Sequence, residues 1–488
     1  MEEKANGKKL IGNMLWKFAE RILAQFISLI VSIVLARILM PEEYGTIAMV
    51  TVFIAFLDVF VNEGLPTALV QKQKNDAIDF SSVFYFNIFF SISLYVILFF
   101  CAPLISSFYN NDSLTIIIRV MGLRIIVASV NSVQHAYVSK NMMFKKYFWS
   151  TLFGTLTSAA IGIWLAYNGA GVWALVAQYM TNTIIDTIFL WFSVGWRPSR
   201  VFEWKRVKEL ISFGWKVLIE GLSETFSQQV RSLIIGKVYS SSDLAYYNKA
   251  QQFPQLFISN ICVAISSVLL PEMSNKQDQK DYIVILLRKS TKLASFFIFP
   301  LLTGLAFAAE PFIKVVLTEK WISCVPYLQI FCFTQALTVG MITRHQALLS
   351  TGRSDVYMKE HILYRVFFLT LLFSIYKKGV MAIAISTIIG TLFMAFTVVY
   401  TSKKYNYYRL RDQIGDLLPI LLGCISMAVP IYLVGNLNIN DVLKLVIQVV
   451  AGLTVYIIYA KLVRLEQLNM CESIITGFFE RKNTYQGP

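Results

Sequence analysis

Apolar runs of helix-spanning length recur along nearly the whole chain, separated by short polar connections. A hydrocarbon core about 30 Å thick takes about 20 apolar residues per crossing. The runs predict about 14 transmembrane helices, at 12–37, 44–63, 80–104, 114–138, 148–168, 171–194, 211–238, 244–271, 283–310, 323–349, 359–376, 379–402, 416–435 and 441–462. Continuous runs of this kind do not come from a β-barrel, whose strands alternate apolar and polar residues. The polar stretch Met1 to Lys9 precedes a full-length apolar run with no small-residue cleavage site, so the first run is expected to be a retained span.

Composition sharpens this to an all-α, polytopic membrane protein: 56% of the 488 residues are hydrophobic and 15% charged. The positive-inside rule then orients the spans. Loops after even-numbered spans hold Lys72 and Lys74, Lys140, Lys145 and Lys146, Arg197 to Lys208, Lys276 and Lys280, Arg353, and Lys403 to Arg411. The opposite loops, such as PEEYG at 41–45 and YSSSD at 239–243, are nearly free of basic residues. Lys320, Lys377 and Lys378 break the pattern. Both termini are therefore expected in the cytoplasm. Much of the net charge of +15 sits in these loops, where topology and anionic headgroups account for it. Nucleic-acid binding would need a soluble basic domain, and none is predicted.

One predicted span is too charged to face lipid. Residues 211–238 carry Lys216, Glu220, Glu224, Gln228 and Arg231 at helical spacing on one face. Ionised groups at membrane depth must line water or a polar partner. Sliding the chain by 200 residues sets Glu20 over Glu220, Arg37 over Lys237 and Glu43 over Asp243. A shift of 211 sets 136–147 over 347–358, with Arg124 over Gln335 and His135 over Gln346. The expected organisation is thus two parallel six-helix halves. The N-terminal lobe is 1–196, a basic linker 197–210, the C-terminal lobe 211–402, and 403–488 adds two further helices and a tail. Such a duplication suits a transporter that rocks about a central site.

Other helices repeat the polar striping: Lys17, Glu20, Ser28 and Ser32; Arg124, Asn131 and His135; Gln178, Asn182 and Asp186; Asn248, Gln252 and Gln255, with Pro254 expected to bend the last helix. Small polar side chains also glue dry helix interfaces, which suffices for Ser28 and Ser32. The charged set does not fit that reading. The predicted walls of a hydrated cavity are Glu20, Arg124, Glu220, Glu224, Gln228, Arg231, Asn248 and Gln252, and Asp58 and Asp186 are candidates for Na⁺ or H⁺ coupling. Guanidinium groups suit phosphate because their planar fork bonds two oxygens, and interleaved amides and hydroxyls suit sugars. No cofactor or metal site is predicted. The six cysteines, Cys471 among them, lack metal or redox spacing and are read as packing residues.

The segments LARILMPEEYGTIAMVTVFIAFLDVFVNEGLPTALVQ (35–71), VRSLIIGKVYSSSDLAYYNKAQQFPQLF (230–257) and VLLPEMS (268–274) resemble the Wzx-type polysaccharide flippases, in their colanic and teichuronic acid exporter branch. These belong to the multidrug/oligosaccharidyl-lipid/polysaccharide (MOP) transporter superfamily. The resemblance covers roughly 10–460. It implies a V-shaped pair of six-helix lobes, location in the bacterial inner membrane, and export of undecaprenyl-pyrophosphate-linked oligosaccharide repeat units for lipopolysaccharide, capsule or exopolysaccharide. Membrane lipids and polysaccharide polymerase machinery are the implied partners. A lipid II flippase or drug exporter of the same superfamily is the alternative within transport. A membrane-embedded glycan polymerase is the alternative from another class, but it would need a large extracytoplasmic loop that the sequence lacks.

Overall fold

A computed structural model of the chain describes residues 2–405 and 408–468. Of the tail expected after the last span, residues 469–488, Cys471 among them, lie outside the described residues. All regular structure among these residues is helical: α1 (Glu2–Ile38), α2 (Pro41–Asn62), α3 (Gly64–Gln71), α4 (Ala77–Tyr109), α5 (Leu114–Lys140), α6 (Phe144–Tyr167), α7 (Val172–Ser193), α8 (Trp204–Val238), α9 (Ser241–Asn275), α10 (Lys280–Phe307), α11 (Ala309–Val316), a 3-10 turn (Glu319–Cys324), α12 (Val325–Ser350), α13 (Ser354–Ile375), α14 (Val380–Tyr405), α15 (Leu410–Gly435) and α16 (Asp441–Leu462).

Each expected span coincides with a helix, but among the described residues only 11 helical stretches are long and apolar enough to cross a membrane. The other three, α7, α8 and α13, carry the polar positions of greatest interest, including Asp186, Glu220 and Glu360. The second expected span, 44–63, ends where α2 ends, and beyond it Gly64 adopts φ +26° and a short helix α3 begins. Pro254 was expected to bend α9, and the helix continues through both it and Pro271.

The chain forms two compact units, Met1–Ala245 and Tyr246–Pro488. In the first, α6 pairs with α7, α4 with α5, α1 lies along α6, and α8 packs on α2, α3 and α4. Packing thus groups α8 with the first unit, whereas the sequence repeat matches it to α1. A core of Leu69, Phe84, Val133, Leu190, Trp196 and Val207 fastens α3, α4, α5, α7 and α8 at one end. In the second unit, α12 packs on α10, α13 and α14, and α15 packs on α10 and α16.

The internal repeat recurs in backbone detail. At a shift of 200, α1 and α8 end at Ile38 and Val238, and α2 and α9 begin at Pro41 and Ser241. Glu43 accepts the Met40 N–H at 2.7 Å, and Asp243 accepts the Ser240 N–H at 3.2 Å. These matched acids therefore hold helix starts. The second register is 210, one residue away from the 211 expected. The helices α5 and α12 end at Lys140 and Ser350, and Met142 (φ 53°) and Gly352 (φ 73°) are the left-handed residues of the two turns. Met143 N–H donates to Val138 O and Arg353 N–H to Leu348 O, both at 2.9 Å. His135 thus matches His345 rather than Gln346, and Arg124 matches Thr334 rather than Gln335. The sequence hid this because a methionine occupies a left-handed position where glycine is the usual signal.

Candidate functional site

Within the first unit two charged centres form between helices. The first lies on α1, α5, α6 and α7. Asp186 of α7 meets His135 Nε2 at 2.9 Å, and it also accepts from the Asn131 amide and the Ser150 hydroxyl. His135 and Asn131 sit one helical turn apart on α5, so a single face delivers both to the carboxylate. The Tyr147 ring stands edge-on to the imidazole, with centroids 4.7 Å apart. Glu20 approaches from α1, bonded to Thr151 and close enough to His135, Asp186 and Lys17 to feel their charges. Of the two carboxylates, Asp186 alone touches the imidazole, and Glu20 stands nearby.

The second centre joins α2, α5 and α7. Arg124 Nη1 lies 3.1 Å from Asp58 Oδ2, and its Nε donates to Thr183 Oγ1 at 2.9 Å. The Arg124 and Asp58 side chains are each about a quarter exposed. Two contacts fix the guanidinium while leaving part of it accessible. Asp58 was expected as a possible cation ligand, and the structure commits one of its oxygens to Arg124.

The predicted face of α8 is present as an open one. Lys216, Glu220, Glu224 and Gln228 are exposed and Arg231 is half-buried. Gln228 Nε2 donates to Glu224 Oε1 at 2.8 Å. In the second unit, Asn248 and Gln252 are half-buried on adjacent turns of α9. Of the predicted residues, only Glu20 joins the Asp186 centre, and Arg124 and Asp58 pair.

Sequence reasoning missed Glu63, which sits where the span containing α2 and α3 breaks. Its carboxylate lies against Gly221 of α8, so close that a Cβ there would fall 1.7 Å from Glu63 Oε2. One turn pair earlier, a Cβ on Gly214 would lie 3.0 Å from the Gly64 carbonyl. Two glycines seven residues apart thus let α8 approach the break. The available signal was NEGLP at 62–66, an acid beside a glycine and proline inside an apolar run, which is the pattern of a discontinuous membrane helix.

The large cavity of the second unit, about 820 Å³, contains none of the predicted cavity residues. Its walls from α10, α12, α14 and α15 are mainly Leu, Phe, Val, Ile and Ala, with Arg344 and Gln413 among the few polar groups. Such walls offer few partners for a sugar or pyrophosphate group. Among the described residues no set of three or more His, Cys, Asp or Glu is arranged to hold a metal ion.

A family model described as polysaccharide biosynthesis protein matches residues 34–326, more than half of the chain. The teichuronic acid biosynthesis protein TuaB of Bacillus subtilis (strain 168) is 22% identical over 82% of this chain and 85% of its own length. The lipopolysaccharide biosynthesis protein WzxC of Escherichia coli (strain K12) is 23% identical over 84% of this chain and 82% of its own. Among solved structures, a lipid II flippase MurJ in an inward closed conformation superimposes with TM-score 0.77 at 15% identity, covering 93% of this chain and all of that one. An inward-facing MATE multidrug transporter of the MOP superfamily gives 0.57 at 13% identity, over 78% and 96%. At these identities the structural likeness concerns fold.

Proposed function

Because the chain belongs to the polysaccharide biosynthesis protein family, a family of membrane transporters rather than enzymes, we propose that it flips undecaprenyl-pyrophosphate-linked oligosaccharide repeat units across the bacterial cytoplasmic membrane by alternating access. The two six-helix halves by sequence, 1–196 and 211–402, are the moving parts in this reading, with both termini cytoplasmic. The observation that carries it is a guanidinium, Arg124, held by Asp58 and Thr183 and still partly open within an apolar bundle. A fixed arginine, three-quarters buried, suits a pyrophosphate, which offers paired oxygens to its fork. Arg231 is the second phosphate ligand. The exposed Glu220, Glu224 and Gln228 of α8, with Asn248 and Gln252 of α9, provide hydrogen bonds for sugar hydroxyls while the prenyl tail stays in lipid.

Coupling is assigned to the Asp186 centre, with H⁺ as the coupling ion, since an imidazole directly on the carboxylate supplies a second proton acceptor. Asp58 serves instead to orient Arg124. Relatives acting in teichuronic acid and lipopolysaccharide biosynthesis support a lipid-linked glycan as cargo.

The test is flipping of a fluorescent polyprenyl-pyrophosphate oligosaccharide by the purified protein in liposomes. Arg124→Ala and Arg231→Ala should each abolish flipping in a protein that still folds and inserts. Normal flipping by both variants sinks the phosphate assignment. Accumulation of lipid-linked units on the cytoplasmic leaflet after gene deletion separates this reading from a polymerase, which would leave them on the outer leaflet.

A further inference from the structure

We propose that Glu360 and His345 form a proton-binding centre of the second unit, the counterpart of Asp186 and His135 in the first. At the register of 210, His345 falls on His135 and Tyr357 on Tyr147. The tyrosine rings stand edge-on to their imidazoles in both places, at 4.7 Å and 76° in one and 4.9 Å and 88° in the other. Gln134 and Arg344, also matched at 210, reach the backbone carbonyls of Trp196 and Tyr408 respectively. The surroundings of the two histidines thus repeat closely. The acid does not repeat in sequence: Glu360 occupies the register position of Ser150, on α13, whereas Asp186 comes from α7. Each unit nevertheless brings a carboxylate to the same imidazole nitrogen, Nε2.

The chemistry of the second pair is that of an incompletely matched buried charge. The Glu360 side chain is 2% exposed and His345 12%. The Thr401 hydroxyl of α14 bonds Glu360 Oε1, while Oε2 stands 3.3 Å from His345 Nε2 and neither of those two atoms has an aligned hydrogen-bond partner. One added proton turns a carboxylate beside a neutral imidazole into a pair of zero net charge, and that proton fits between the two unmatched atoms.

Arg344, on the same helix as His345, lies near enough to Glu360 for their charges to interact. Tyr357 and His361 face the imidazole from α13, with ring centroids at 4.9 and 5.2 Å. Tyr408, before α15, lies against Arg344. The cations Arg288 and Lys292 of α10 are engaged by Asp416 of α15. Because His345, Glu360 and Thr401 stand on α12, α13 and α14, a proton gained or lost alters the attraction among three helices.

The consequence for transport, a proton site in each half, rests on the flippase reading above, but the site itself is testable alone. The chain has three histidines, so nitrogen NMR of imidazole-labelled protein in liposomes, with His135→Asn and His361→Asn to isolate the remaining ring, follows His345 directly. Across about pH 5 to 8, we expect the His345 ring nitrogens to respond to bulk pH in the intact protein, and Glu360→Gln to move the midpoint of that response to lower pH. If Glu360→Gln fails to fold, Thr401→Val should move it to higher pH instead, since a carboxylate that loses a donor holds the added proton more tightly. A His345 ring that stays in one protonation state over this range, or whose midpoint ignores both substitutions, overturns the proposal. Titration as expected in a protein that flips no lipid-linked cargo overturns the flippase reading and leaves the site standing.

Discussion

Replacing Asp58 by Asn tests whether Arg124 is held in readiness for a phosphate or merely fills a structural contact. At 3.1 Å, two unit charges attract by roughly 5 kcal/mol at an effective dielectric of about 20. Desolvation of both groups takes back most of this, leaving about 1.5–3 kcal/mol for the charge-assisted bond. Asp58→Asn should therefore destabilise the protein by about 2 kcal/mol, because Arg124 keeps only Thr183 while remaining three-quarters buried. Arg124→Gln should cost about the same. The double variant should cost little more than either single one, giving a coupling energy of about 1.5–3 kcal/mol. Unfolding of the purified variants by SDS titration in mixed micelles measures all four corners. Flipping in liposomes gives the second readout: Asp58→Asn retains reduced flipping, and both proteins lacking Arg124 have none. Additive single effects would refute the pairing. A double variant that is stable and flips cargo at the wild-type rate would refute the role of Arg124.

Further outcomes follow from close contacts and backbone geometry. Gly221→Ala drives a methyl into the Glu63 carboxylate and should cost about 1–3 kcal/mol, with Glu63→Ala restoring part of the loss in the double variant; no rescue would mean the helices collide elsewhere. Met142→Gly should stabilise by about 1 kcal/mol by removing a left-handed side chain, and Gly352→Ala should destabilise by a similar amount, both read by thermal unfolding in detergent. Asp76 caps α4 by accepting the Asp79 N–H at 2.9 Å, and that bond, with Arg206 nearby, holds its carboxyl below the usual carboxylate range. Its contribution is full above the unfolded pKa of about 4 and is lost as pH falls through the lower folded value, so the deficit of Asp76→Ala, about 1 kcal/mol near neutrality, should vanish in acid.

The helices were legible because lipid imposes one strong rule. Every backbone polar group must be satisfied within the segment, so each long apolar run becomes a helix. The polar stripes were legible too, since helical spacing follows from sequence alone. Less was readable where two segments meet. Nothing local distinguishes the Asp58 carboxylate, which turned toward Arg124, from Asp186, which turned toward His135. Glu63 escaped notice because its interest comes from Gly221, far along the chain on another helix. Glu360, near the start of α13, drew no attention in the sequence, and folding set it beside His345.

The sequence by itself determined the class, an all-α membrane bundle, and which helices bear charge. These properties depend on composition and period, which are local. Only the tertiary structure decided the register of the second repeat, by matching left-handed turns at Met142 and Gly352. It alone decided which charges pair, because an ion pair requires distances of a few ångströms that are set by how helices remote in sequence pack. The same packing turned His135 and His345, unremarked as a pair in the sequence, into matching centres, each with a carboxylate at Nε2.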